Sequence, residues 1–115
     1  MRKCASPANL SVVVPEQLLE EAARRFSVLG DVNRLRILST LHEDGELTTG
    51  ALAERTGLAM ANVSQHLSRL MAAGLVTRRR EGSHAYYTIS DPTLASICDL
   101  VCSSVRGRAA ALARA

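Results

Sequence analysis

The stretch LTTGALAERTGLAMANVSQHLSRLMAAGL, residues 47–75, decides the fold of this chain. Thr48 or Thr49 can cap a short helix that runs through Arg55, and Gly57 then stops that helix. A second helix is predicted over 61–73, with an inward apolar face made of Val63, Leu67, Leu70 and Met71. Two short helices joined by a tight glycine-containing turn are typical of a helix-turn-helix, although a plain hairpin inside an all-α bundle fits this stretch alone.

The segment that follows favours the first interpretation. LVTRRREGSHAYYTIS, residues 75–90, predicts two short strands, over 75–80 and 84–89, around a turn at Glu81-Gly82-Ser83. A two-stranded hairpin is marginal by itself and must pack against helices. A helix-turn-helix followed by a basic hairpin is the winged-helix arrangement.

Segments with helical periodicity also lie on both sides of this helix-turn-helix and hairpin. Apolar spacing predicts a helix over 15–29, and Asp31 can cap a second helix that ends before Gly45. A last helix is predicted from Pro92. The predicted fold class is mainly α with a small β-hairpin, in the order α-α-α-α-β-β-α. Its parts are a flexible N-terminal arm (1–14) and one winged-helix domain (15–115) with helix-turn-helix (48–73), wing (75–90) and C-terminal dimerisation helix (92–108).

Composition narrows the class of protein. At 115 residues the chain is one small domain, or one subunit that completes its core by pairing. Lys3 is the only lysine among the 14 lysine and arginine residues, and the net charge is +3. Because the planar guanidinium of arginine binds phosphates and base edges well, this composition is compatible with a nucleic-acid partner. No apolar run approaches the roughly 18 residues that cross a bilayer, and no signal peptide is predicted, so a cytoplasmic location is expected.

Three stretches resemble the ArsR/SmtB family of bacterial winged-helix repressors. They are LGDVNRLRILSTL, LAERTGLAMANVSQHLSRLMAAGLV and RRREGSHAYYTI, which together span most of the chain. The resemblance implies a homodimer built from the first and last helices that binds double-stranded operator DNA. It also implies, as for many members, release from DNA when a metal, metalloid or reactive sulfur species binds.

The second helix of the predicted helix-turn-helix supplies the candidate DNA contacts. Asn and Gln can pair with adenine edges and Arg with guanine in the major groove, whereas serines can reach phosphates. The residues expected on its outer face are Asn62, Ser64, Gln65, His66, Ser68 and Arg69. The family usually opens this helix with polar residues, but here Ala59, Met60 and Ala61 stand there, so an obvious N-cap is missing.

The predicted wing carries three consecutive arginines, Arg78, Arg79 and Arg80. Side chains alternate along a strand, so about two of the three are expected to serve DNA phosphates. His84 and Arg34 are weaker candidates for backbone contact. A dimer is expected to meet half-sites about one helical turn apart.

Two metal sites that the resemblance implies are absent from this sequence. A Cys-x-Cys at the start of the first helix of the motif is replaced by Thr48 and Gly50. A second site, on the last helix, needs Asp and His early and His and Glu late. Asp91 remains, but the other positions hold Thr93, Ser104 and Gly107. Zinc binding of that kind is not expected.

Cys98 and Cys102 are the remaining sensor candidates, because they lie four residues apart on the last helix. That spacing puts Cβ atoms about 5–6 Å apart, too far for an undistorted disulfide but suitable for two thiolates on one soft ion. Cys4 could complete a trigonal sulfur site for arsenite, antimonite, cadmium or lead. No metal is expected to be needed for folding. Buried cysteines also serve as small hydrophobic residues, and that alternative stays open.

Other functions remain to be separated from metal sensing. The same two thiols could sense oxidants or reactive sulfur, or the protein could be a repressor without an inducer. A thiol enzyme is not expected, because an activated cysteine needs a neighbouring base. The three histidines, His42, His66 and His84, all lie on other predicted elements. An adaptor that kept the fold without binding DNA is a further alternative.

Overall fold

The computed structural model describes residues 3–4 and 12–113, except for the side chains of 3–4, 12–13 and Ala95. The elements within this part, in chain order, are β1 (Lys3–Cys4), β2 (Val12–Val13), α1 (Glu16–Leu29), α2 (Val32–Asp44), β3 (Leu47–Thr48), α3 (Thr49–Thr56), α4 (Met60–Ala72), β4 (Val76–Glu81), β5 (His84–Ile89) and α5 (Thr93–Ala113). Four helices, a hairpin and a final helix follow one another as predicted, and β3 is added between α2 and α3.

Local capping chemistry explains where the central helices begin and end. The Asp31 side chain accepts hydrogen bonds from the backbone N–H groups of Asn33 (2.9 Å) and Arg34 (3.1 Å) at the start of α2. The Thr48 hydroxyl caps α3 in the same way, by accepting a hydrogen bond from the backbone N–H of Ala51. Gly57 ends α3 with a φ of +77°, a left-handed conformation that favours glycine. Both predicted caps and this glycine stop are confirmed.

The core lies where α2, α3 and α4 meet the inner face of the sheet. Leu52, Val63 and Leu70 are fully buried and join the two helices of the helix-turn-helix. Tyr87 brings β5 onto the same cluster, whose other buried members are Leu29, Ile37, Leu38, Leu41, Leu67, Leu75, Val76 and Leu94. Because α4 buries one face into this core, its opposite face is held at a fixed orientation toward solvent.

The wing is a three-stranded sheet of order β3-β5-β4, whereas the sequence predicted only two strands. Leu47 pairs with Tyr87 and Thr48 with Tyr86, so β3 attaches the hairpin to the start of α3. A two-residue strand is too short to produce an alternating pattern, which is why it was missed. This third strand gives the hairpin the support that an isolated pair lacks.

Helices α1 and α5 carry apolar side chains outside this core. Of the side chains described on α5, Leu94 alone is buried. Val101 and Val105, further along the same helix, are 57% and 63% exposed. Phe26 on α1 is 61% exposed. The helix also runs to Ala113 rather than to 108, because the alanine-rich tail has a high helix propensity.

The sequence predicted a flexible arm over 1–14, and part of that segment is described. Lys3–Cys4 pairs antiparallel with Val12–Val13, with Lys3 opposite Val13 and Cys4 opposite Val12. Two pairs of residues are too few to give a strand signal in the sequence. The proposed role of the Cys4 thiol lies outside the described side chains.

Candidate nucleic-acid interface and thiol pair

Helix α4 presents a polar face to solvent, opposite the face that packs into the core. Val63, Leu67 and Leu70 point inward, as predicted, and Met71 is half-buried. The exposed positions include five of the six predicted DNA contacts: Asn62, Ser64, Gln65, Ser68 and Arg69. Hydrogen-bonding side chains along one exposed helix are the groups that read base edges in a major groove.

His66 is the exception on this helix, and the prediction that it is exposed is wrong. Its ring is half-buried, and Nδ1 accepts a hydrogen bond of 3.2 Å from Nε of Arg34. The same guanidinium donates to the carbonyl oxygen of Val28 at 3.0 Å. Arg34 and His66 therefore tie α4 to α2 and to the end of α1, and both side chains already have partners within the protein.

The start of α4 has no side-chain cap, as the sequence predicted. Ala59 occupies the N-cap position in an extended conformation, and Met60 beside it is 57% exposed. The first backbone N–H groups of a helix lack partners within the helix, and the helix dipole adds partial positive charge there. This end of α4 is therefore suited to an approaching phosphate.

The middle arginine of the wing is held within the protein. Arg79 binds Glu46 through two contacts, Nη2 to Oε1 at 2.7 Å and Nε to Oε2 at 3.1 Å, and it also pairs with Glu81. Its guanidinium carbon lies 4.9 Å from the centre of the Tyr86 ring. Hydrogen bonds from Arg79 lower the pKa of Glu46, and the two carboxylates raise the pKa of Arg79. Arg79 is thus a poor candidate for DNA contact.

Arg78 and Arg80 lie on the other face of the wing. They share that face with Val76, which packs on the helices, because side chains alternate along β4. Both side chains are exposed, and among the described residues neither forms an ion pair. The expectation that two of the three arginines contact DNA therefore stays a prediction, and it now rests on Arg78 and Arg80. His84, also a predicted contact, is exposed where β5 begins, with its ring 6.3 Å from that of Tyr86.

Asp91, the one residue kept from the metal site on the last helix, has a structural role here. It accepts hydrogen bonds from the backbone N–H and hydroxyl of Thr93, at 3.0 and 2.6 Å, and pairs with Nη1 of Arg25 at 2.9 Å. The hydrogen bonds from Thr93, with smaller contributions from Arg25, lower the pKa of Asp91. This carboxylate caps α5 and joins it to α1.

Cys98 and Cys102 line a groove of about 570 Å³ between α5 and the first two helices. Cys98 is half-buried and Cys102 is exposed, and both thiols are free. Burial raises the pKa of Cys98, with smaller contributions from Cys102 and Asp99. Across the groove stand Phe26, Leu35, Leu38, His42 and Glu43. Within the described residues, no three His, Cys, Asp or Glu side chains form a cluster that could hold a metal ion.

Comparison with known proteins identifies the family. A model described as a helix-turn-helix domain matches residues 29–79. A probable mercury resistance operon repressor of Streptomyces lividans is 36% identical over 93 residues, which cover 81% of this chain and 74% of the relative. A candidate arsenical resistance operon repressor of Halobacterium salinarum is 35% identical over 91 residues, covering 78% and 73%.

A solved structure agrees along most of the chain. It is the homodimeric winged helix-turn-helix DNA-binding domain of a possible ArsR-family regulator from Mycobacterium bovis, with a TM-score of 0.73 and 35% identity. The match covers 80% of this chain and 84% of that one. This chain belongs to the ArsR family. It is therefore a DNA-binding transcriptional regulator and not an enzyme, and in its described part no helix is long and apolar enough to cross a membrane.

Two pairings that hold candidate contact residues of this ArsR-family regulator were not predicted, and Glu46 was not among the predicted site residues. Glu46 lies 33 positions from Arg79, and Arg34 lies 32 positions from His66. Neither pair follows a helical or strand spacing, so no local pattern could reveal it.

Proposed function

We propose that this ArsR-family regulator is a homodimeric repressor that inserts α4 into the major groove of operator DNA. The exposed polar face of α4, held by the buried face of the same helix, carries the proposal. In this arrangement Gln65 and Arg69 approach base edges, while Ser64, Ser68 and the uncapped helix start bind phosphates. Asn62, near the first turn, is within the part of a recognition helix that contacts bases.

The exposed apolar residues of α1 and α5 support the dimer. Phe26, Val101 and Val105 would be costly to leave in water over a continuous surface, and pairing with a second copy would bury them. The Mycobacterium bovis relative is homodimeric. Two copies related by a two-fold axis place two α4 helices about one DNA turn apart, which matches a palindromic operator.

The wing supplies charge rather than sequence information in this proposal. Arg78 and Arg80 lie on the side of the sheet that packs on the helices and contact phosphates beside the major groove. Arg79 keeps β4 attached to Glu46, before α3, and so fixes the orientation of its two neighbours.

An Arg78→Ala, Arg80→Ala double variant is expected to bind DNA with a weaker salt dependence. Each lost phosphate contact should reduce the slope of log K against log salt by about 0.9, so the slope should fall by roughly 2 per protomer. Fluorescence anisotropy with a duplex selected by the wild type, over a series of salt concentrations, measures the slope. Arg24→Ala, on α1, is the control for general charge loss. An unchanged slope in the double variant would exclude the wing from the interface.

A soft metal or metalloid ion at Cys98 and Cys102 is the proposed signal for release. Thiolates select soft ions, and the two relatives described above are named for mercury and arsenical resistance. Arsenite, antimonite, cadmium and lead all accept sulfur ligands, and Cys4 is the proposed third ligand for such ions. Ligation re-packs α5 along the groove and shifts the dimer toward a spacing that fits DNA poorly. A coupling of about 1–3 kcal/mol would change operator affinity about 5- to 150-fold.

A Cys98→Ser, Cys102→Ser double variant tests this regulation. It should bind operator like the wild type but stay bound when arsenite or cadmium is added, because the ligating sulfurs are gone. Gel shifts over an ion titration give the release curve, and Cys4→Ser run beside it shows whether the third thiol contributes. Release of the double variant at wild-type ion concentrations would refute the sensor role while leaving DNA binding intact.

A further inference from the structure

The spacing of the thiol pair on α5 suits one particular class of ion. We propose that Cys98 and Cys102 alone hold a single mercury(II) ion in linear, two-coordinate geometry. This inference rests on the proposed function and narrows it, because it names a coordination class that needs neither Cys4 nor a partner residue.

Helical spacing sets the distance between the two sulfurs. Residues four apart on a helix have Cβ atoms about 5–6 Å apart. Two metal–sulfur bonds in line, each about as long as the 2.3 Å found for zinc, would place the sulfurs about 4.6 Å apart. Both side chains line the same groove, so they lie on one side of α5. A linear bridge therefore fits along the helix, whereas a disulfide would require the Cβ atoms to approach to about 3.8 Å.

The supply of ligands favours two-coordinate binding. Trigonal and tetrahedral sites need a third and fourth donor, and the described residues contain no cluster of three suitable side chains. His42 and Glu43 line the opposite wall of the groove, but they do not form such a cluster with the thiols. A linear site needs only two ligands, and the two thiolates of α5 supply both.

Charge balance favours mercury(II) over monovalent ions of the same geometry. Two S–H bonds break, two Hg–S bonds form and two protons leave to solvent, with no change of oxidation state. The product is neutral, and a neutral group is cheaper to place beside Phe26, Leu35 and Leu38 than a charged one. Copper(I) on the same two thiolates would leave one negative charge in this groove.

Competition binding and sulfur counting test the proposal on the full chain. Reduced protein is titrated with mercury(II) chloride, and separately with copper(I), in the presence of excess glutathione. X-ray absorption of the loaded protein then counts sulfur ligands. We expect one mercury(II) ion per chain with two sulfurs, in the wild type and equally in Cys4→Ser. Cys98→Ser and Cys102→Ser should each bind about 10²- to 10⁴-fold more weakly, because the chelate is lost.

A matched variant keeps three cysteines but breaks the spacing. Cys102→Ser combined with Ser103→Cys places the second thiol five residues from Cys98, away from the shared helix face, and should bind as weakly as the single variants. Circular dichroism and DNA binding without ion show that each variant is folded. Wild-type affinity in this variant, a third sulfur that disappears in Cys4→Ser, or a preference for copper(I) would each overturn the proposal.

A parallel DNA-release assay separates this inference from the proposed function. If mercury(II) binds with two sulfur ligands but the protein stays on its operator, the proposed regulation is refuted and the two-coordinate mercury(II) site is retained. Release by arsenite that depends on Cys4, without two-sulfur mercury(II) binding, would retain regulation and refute the coordination.

Discussion

Replacing Leu67 by alanine is expected to lower the free energy of unfolding by about 2–5 kcal/mol. Leu67 is 1% exposed and packs in the core cluster, whereas its neighbours on α4 are the half-buried His66 and the exposed Ser68. Removing its branched end leaves a cavity where α4 meets the core. A small domain has only about 5–15 kcal/mol of stability in total, so this single change removes a large share.

Thermal unfolding at a fixed protomer concentration measures the effect, since a dimer's midpoint depends on concentration. At about 4–8 °C per kcal/mol for a domain of this size, the midpoint should fall by roughly 10 °C or more. Ser68→Ala, exposed on the same helix, is the matched control and should shift the midpoint by little. A loss for Leu67→Ala no larger than that of the control would contradict the packing described for α4.

A Gln65→Ala, Arg69→Ala double variant should lose most of its discrimination between operator and random DNA. Both side chains are exposed on α4, and each good bidentate contact with a base contributes about 1–3 kcal/mol of discrimination. Two such contacts amount to at least about 2 kcal/mol per protomer, so the ratio of specific to non-specific affinity should fall by about 30-fold or more for each half-site. Non-specific affinity should change far less, because the wing and the helix start still bind phosphates.

Anisotropy titrations with operator and random duplexes at one salt concentration give that ratio directly. Arg24→Ala removes the same charge from α1 and should lower neither affinity by more than a small factor. Thermal unfolding excludes loss of structure as the cause, since neither Gln65 nor Arg69 is buried. A double variant that retains the wild-type ratio would show that specificity resides elsewhere, for example in DNA shape.

The order of elements and the division of α4 into two faces were predictable from sequence. Val63, Leu67 and Leu70 recur at helical spacing, and glycines and capping residues bracket the helices. These signals are local, because side chains three or four residues apart share one face of a helix, so the apolar face can be recognised within a few turns. The wing arginines were predictable as a group for the same reason, and alternation along a strand indicated that they divide between two faces.

The sequence by itself determined a winged helix-turn-helix whose second motif helix has a polar face, and a thiol pair on the last helix. Only the tertiary structure decided that Arg79 binds Glu46, that His66 binds Arg34 and that β3 supports the wing. It also decided that Cys98 and Cys102 line a groove between α5 and the first two helices. Polar partners more than 30 positions apart meet only after helices and strands have packed, so no periodicity along the chain encodes the pairing. Apolar periodicity, in contrast, already specifies which side of each helix must be buried.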